Sequence, residues 1–172
     1  MKDIEKNFEW TILPEERREP SKENSLYLTI KQVYFDQIMS GEKTEEYREI
    51  KHTTYKKYLD TDKDGYPFIC DEVVSDMDTV DEYGIYVWND GVYPFMPKDI
   101  QYLDLAVGYN KERDTALVEV LGYSFIPAEM DDGTPARFNV VDGEVVFDPE
   151  GDHCFWIMTF HLGNVLKCSR AK

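Results

Sequence analysis

Hydrophobic positions change period twice between Leu26 and Ile50. Leu26, Leu28 and Ile30 alternate with Tyr27 and Thr29, the two-residue period of a strand buried on one face. Tyr34, Phe35, Ile38 and Met39 then recur at three- and four-residue spacing, which predicts a short amphipathic helix. Gly41 predicts its stop, because glycine takes left-handed backbone without a Cβ clash. From Lys43 to Ile50 the chain extends again, yet Lys43, Thr44, Glu45, Glu46, Arg48 and Glu49 are all polar where a half-buried strand would alternate.

Later patterns predict further elements. Residues 53–59 read as a short basic helix with Lys56 and Lys57 outward and Tyr55, Tyr58 and Leu59 inward. Residues 85–88 and 92–95 read as a hairpin turned by Asn89-Asp90-Gly91, and Val140-Val141 pairs with residues 144–147 around Asp142-Gly143. Strands are expected at 102–107 and 115–121, joined by a polar loop holding Tyr109, Asn110, Lys111 and Arg113. Residues 155–162 are apolar on both faces, as in a central strand.

These elements divide the chain into a polar N-terminal extension (residues 1–24), whose proline-bounded stretch 14–24 is expected to be loose, and a single domain (residues 25–172). Within that domain, residues 60–98 read as an acidic, tyrosine-rich insertion. Trp10, Ile12 and Leu13 are the extension's candidate anchors onto the domain.

The polar strand carries the candidate chemistry. Alternation places Thr44, Glu46, Arg48 and Ile50 on one face and Lys43, Glu45, Tyr47 and Glu49 on the other. Lys43 joins the first face only if the strand starts late or carries a bulge. An arginine offers a flat fork to phosphate or carbonyl groups, and a carboxylate accepts from an exocyclic amine. A solvated edge strand, whose charges deter sheet-to-sheet aggregation, accounts for the same run.

The spacing Gly41-x-Lys43-x-x-Glu46-x-Arg48 resembles the G-x-K-x-x-E-x-R signature of the ASCH (activating signal cointegrator homology) domain, a member of the PUA-like superfamily of small β-barrels. Phe155-Trp156-Ile157-Met158-Thr159-Phe160-His161-Leu162-Gly163-Asn164-Val165-Leu166 looks like that family's closing strand, which ends in a Leu-Gly turn. The resemblance runs from about Ser25 to Leu166. It implies an α+β fold: a small β-barrel with flanking short helices and an inserted acidic hairpin or loop region. It also implies that the motif lines a ligand cleft, with Lys43, Thr44, Glu46 and Arg48 as ligand-binding residues; Tyr109, in a loop able to border that cleft, is a candidate stacking residue, and an ordinary polar hairpin tip accounts for it equally.

Two functions from different classes follow from the resemblance. ASCH domains are similar to PUA domains, which bind RNA, so the first is a module binding RNA or a modified nucleoside. The second is an amidohydrolase, since small relatives release the acetyl group of N4-acetylcytidine using the motif lysine and a threonine. Lys43 matches that lysine, but Glu46 stands where the threonine would be and Thr44 projects from the face opposite Lys43. Lys43 and Glu46 would then be catalytic, with the carboxylate activating water instead of a hydroxyl nucleophile attacking. A third reading is an accessory domain without ligand, its exposed tyrosines serving protein contacts.

Composition narrows the field. A hydrophobic content of 42% over 172 residues supports a folded core rather than a disordered chain. The net charge of −16 disfavours non-specific DNA binding, and it favours a ligand with few phosphates over an RNA tract. There is no bilayer-length apolar run, and the N-terminus is charged from Lys2 onward, so no membrane association or secretory leader is expected. Cys70, Cys154 and Cys168 are widely spaced, as expected of reduced thiols in a cytoplasmic protein without a zinc site.

No cofactor is expected. Asp60-x-Asp62-x-Asp64-Gly65 with Asp71 has EF-hand spacing, which makes calcium a candidate. Asp71 is shorter than the usual bidentate glutamate, and Pro67 lacks the N–H of a paired loop, so an acidic turn is the default. His52 lies beside the polar strand as a candidate acid or base, and a surface histidine fits it equally.

Overall fold

The computed structural model describes residues 11–12, 16–70 and 81–171. It is a mixed α+β fold, mostly strands with one α-helix. The strands are β1 (Thr11–Ile12), β2 (Ser25–Ile30), β3 (Glu45–Ile50), β4 (Tyr102–Val107), β5 (Thr115–Pro127), β6 (Arg137–Val141), β7 (Glu144–Phe147), β8 (His153–Cys154) and β9 (Trp156–Ser169). The helix α1 spans Gln32–Ser40, and 3-10 turns occupy Tyr55–Lys57, Gly84–Tyr86 and Asn89–Gly91.

Among the described residues the strands form two open sheets, where a barrel was expected. A six-stranded sheet has the order β2–β4–β5–β9–β3 with β1 added on β5, and a three-stranded sheet has the order β7–β6–β8. The chain divides into two compact units. The first comprises residues 47–98 and 124–158; the second comprises residues 10–46, 99–123 and 159–172.

In the second unit, β2 runs parallel to β4, and β4 runs antiparallel to β5. Leu28, Ile30, Leu103, Leu105, Val118 and Val120 form its core together with Phe35 and Ile38 of α1. Phe35 is fully buried, so truncating it to alanine costs about 3–5 kcal/mol. Gly41 closes α1 at φ 85, as its position after the last apolar residue predicts.

The extension is tied down where it is described. Thr11 and Ile12 pair with Tyr123 and Gly122 of β5. Arg17 donates to the carbonyls of Gln101 and Val120 at 2.7 Å each, and lies 3.2 Å from Glu119. Its guanidinium also lies 5.2 Å from the centroid of the Tyr102 ring. Trp10 and Leu13 lie outside the described residues.

The Leu162-Gly163 pair makes no turn. β9 runs through it to Ser169. Gly163 serves close approach instead: a Cβ there would stand 2.8 Å from Leu121 Cδ2.

In the first unit, much of the expected insertion is core. Ile85, Tyr86, Tyr93 and Phe95 are buried with Phe138, Cys154 and Trp156. Tyr93 stacks on Phe125 at 4.5 Å between centroids, and Phe138 on Phe155 at 4.7 Å. The β6–β7 hairpin forms as predicted, with Asp142 at φ 52 and Gly143 at φ 79. The expected hairpin at 85–95 does not. Asn89, Asp90 and Gly91 do take positive φ, but the flanks pair elsewhere: Val87 bridges His153, and Cys70 donates to the Pro94 carbonyl. The basic helix at 53–59 is a single 3-10 turn that still buries Tyr58 and Leu59.

Candidate functional site

The residues of the motif enter the structure in the order the spacing suggests. The Lys43 N–H donates to the Gln37 carbonyl at 3.0 Å, and Thr44 accepts from the Leu162 N–H at 2.9 Å, so both precede the regular strand. β3 starts at Glu45, the late start that frees Lys43 from strict alternation. Within β3, Glu46 and Ile50 are buried and Arg48 is half-buried, while Tyr47 and Glu49 are exposed. The face holding Glu46, Arg48 and Ile50 is therefore the inner one.

Glu46 is only 5% exposed. A buried carboxylate is costly to desolvate. The Lys43 ammonium lies 5.3 Å from the centroid of the Tyr34 ring, a cation–π contact on a tyrosine that is 43% exposed. Thr44 is exposed. All four belong to the second unit.

Arg48 belongs to the first unit. Its guanidinium donates to the Tyr47 carbonyl at 2.7 Å. Burial pushes the Tyr58 phenol above its ordinary value, and the nearby charge of Arg48 opposes that shift. Tyr109 lies in the β4–β5 loop and is 87% exposed, a ring that presents itself to solvent.

Two further polar residues of β9 belong to the second unit, as Lys43, Thr44 and Glu46 do. The His161 ring Nδ1 on β9 is 3.4 Å from the Glu45 carboxylate. Burial lowers the His161 pKa, and the Glu45 carboxylate opposes that shift. Thr159, two places earlier and so on the same side of β9, is 3% exposed, and its hydroxyl has no hydrogen-bond partner among the described residues. The even spacing of Thr159 and His161 in an otherwise apolar strand was the available signal.

The acidic loop folds as a turn. The Asp62 carboxylate accepts from the N–H groups of Asp64 and Tyr66 at 2.8 and 3.0 Å, and Gly65 sits at φ 89. Among the described residues no group of three or more acidic, histidine or cysteine side chains is placed to hold a metal ion. Asp71 lies outside the described residues. His52 donates its N–H to the Tyr86 hydroxyl at 3.1 Å, and its ring lies 3.7 Å from Glu82. No helix among the described residues is long and apolar enough to cross a membrane.

Comparison with known proteins finds no matching family model, no matching curated protein and no matching solved structure.

Proposed function

We propose that this chain is an ASCH-type, PUA-like module that binds a nucleoside-type ligand, free or within RNA, through Lys43, Glu46 and Arg48. The observation that carries the reading is the burial of Glu46 on a strand that follows directly on Lys43, whose half-buried ammonium lies on the Tyr34 ring. A carboxylate held out of bulk water gains strength as an acceptor, which suits recognition of an exocyclic amine. The strand–helix–glycine–strand order of β2, α1, Gly41 and β3 supports the resemblance that names the family.

The roles follow from side-chain chemistry. Glu46 accepts from the base, and Arg48 donates to a carbonyl or phosphate oxygen. Lys43 supplies positive charge beside the Tyr34 ring. Thr44, Tyr47 and Tyr109 are the exposed contacts, the tyrosines as stacking surfaces. The net charge of −16 favours a single nucleoside over a long RNA tract.

The test is calorimetric titration of the full chain with cytidine, N4-acetylcytidine and a short single-stranded RNA, beside Lys43→Ala and Glu46→Gln variants. Saturable binding weakened about tenfold or more by each variant is expected. Chromatography of the same mixtures reads out hydrolysis. Release of cytidine from N4-acetylcytidine, lost in both variants, would move the motif from recognition to amide hydrolysis. Absence of binding by every ligand would leave the accessory-domain reading.

A further inference from the structure

A second concavity lies in the second unit, away from the motif. The segment Pro20-Ser21-Lys22 borders the face of β2, β4 and β5 opposite to the core, enclosing an open groove of about 470 Å³ lined also by Ser25, Tyr27, Asp104 and Leu117. Strand register explains the lining. Tyr27 stands opposite Asp104, and Asp104 opposite Leu117, so the three form one row across the sheet. Leu28, Leu105 and Val118 point to the other side and are buried. β4 and β3 are three strand intervals apart in the sheet order, about 14 Å at the usual strand spacing.

Each side chain in the row has a distinct capacity. Tyr27 is 48% exposed and presents a ring, with the Arg113 guanidinium 5.9 Å from its centroid. Asp104 is exposed on an interior strand and can only accept hydrogen bonds in its ionised form. Leu117 gives a half-buried apolar floor. Lys22 and Arg113 bring positive charge to a chain whose net charge is −16. A stacking ring, an acceptor-only group and flanking cations together describe a ligand with an amino-substituted planar ring and an anionic group.

We propose that this groove is a second ligand site, which binds a nucleotide whose base carries an exocyclic amine. The base stacks on Tyr27 and donates its amine to Asp104, and the phosphate is held by Lys22. The site is independent of the Glu46 motif.

The probe is CMP, titrated into the isotope-labelled full chain and followed by backbone amide shifts, with UMP, cytidine and inorganic phosphate as comparisons. Saturable shifts at Tyr27, Asp104 and Leu117 are expected. CMP should bind about tenfold or more tighter than UMP, whose base presents a carbonyl to Asp104. Asp104→Asn should abolish that preference, Tyr27→Ala should weaken CMP about tenfold, and Lys22→Ala should bring CMP toward cytidine. A tetranucleotide that shifts the same residues and binds tighter than CMP assigns the nucleotide to RNA; weaker binding assigns it to the free form. Shifts confined to residues 43–48 and removed by Glu46→Gln would overturn this proposal while supporting the motif site. Absence of shifts at the groove, or shifts indifferent to Asp104→Asn and Tyr27→Ala, would also overturn it.

Discussion

Replacing Arg17 with alanine tests how the extension is held. The side chain is 28% exposed and makes two charge-assisted hydrogen bonds to main-chain carbonyls, at 2.7 Å each. It also pairs with Glu119 at 3.2 Å and lies on Tyr102. A hydrogen bond from a charged donor contributes about 1.5–3 kcal/mol. Two such bonds do not add fully, because the Gln101 carbonyl keeps the Val120 N–H at 2.9 Å when the arginine goes. Partial solvent access and the ordering of the segment reduce the sum further, leaving a loss of about 2 kcal/mol. With a urea dependence of about 2 kcal/mol per molar, the midpoint should fall by about 1 M. Arg17→Lys should recover less than half, since one ammonium cannot span two carbonyls and a carboxylate as a planar fork does. The assay is urea unfolding followed by far-ultraviolet circular dichroism and by tryptophan fluorescence. A midpoint within about 0.2 M of the parent for Arg17→Ala, or full recovery by lysine, would refute the reasoning.

Other outcomes follow from single features. Gly151→Ala should destabilise by about 3 kcal/mol or more, because its Cβ would stand 2.5 Å from the backbone of Phe138. Gly143→Ala, in open space at φ 79, should cost only about 1 kcal/mol, and comparison of the two urea midpoints checks both. The C-terminal clasp should open in acid. Hydrogen bonds from Ala171, Gln32 and Arg170 hold Asp114 down at about 2, and those from Arg170 and Gln32 also lower Asp36. Both carboxylates are depressed on folding, so their stabilisation is present above about pH 4 and is lost as pH falls toward 2. Arg170→Ala should flatten that part of the stability profile, and salt should weaken the clasp because it is exposed. Burial pushes the Cys154 thiol up to about 12, so iodoacetamide at pH 8 should label the exposed Cys168 and leave Cys154 unmodified, as peptide mapping would show.

Local chemistry was legible in the sequence and pairing was not. Asp142-Gly143 and Asn89-Asp90-Gly91 carry the same turn signal, and both adopt positive φ. Only the first closes a hairpin, because the valines on its two sides meet, whereas Val87 bridges His153 instead. Ladder partners depend on what else the face packs against, which no short window contains. Alternation placed Glu46, Arg48 and Ile50 together on what is the inner face of β3, but Thr44, assigned to the same face, precedes the strand and is exposed. Arg17 was invisible for a related reason. Its acceptors are main-chain carbonyls 84 and 103 residues away, which leave no mark on sequence, so a polar proline-bounded stretch read as loose. His161 and Thr159 were hidden in a strand whose apolar neighbours dominated its pattern.

The most direct test of the central claim is calorimetric binding of N4-acetylcytidine and cytidine to the parent chain and to Glu46→Gln, at matched salt and with folding checked by circular dichroism. Recognition through Glu46 predicts saturable binding of at least one nucleoside by the parent, weakened about tenfold or more when the buried carboxylate becomes an amide. Equal binding by parent and Glu46→Gln, or binding by neither, would contradict it.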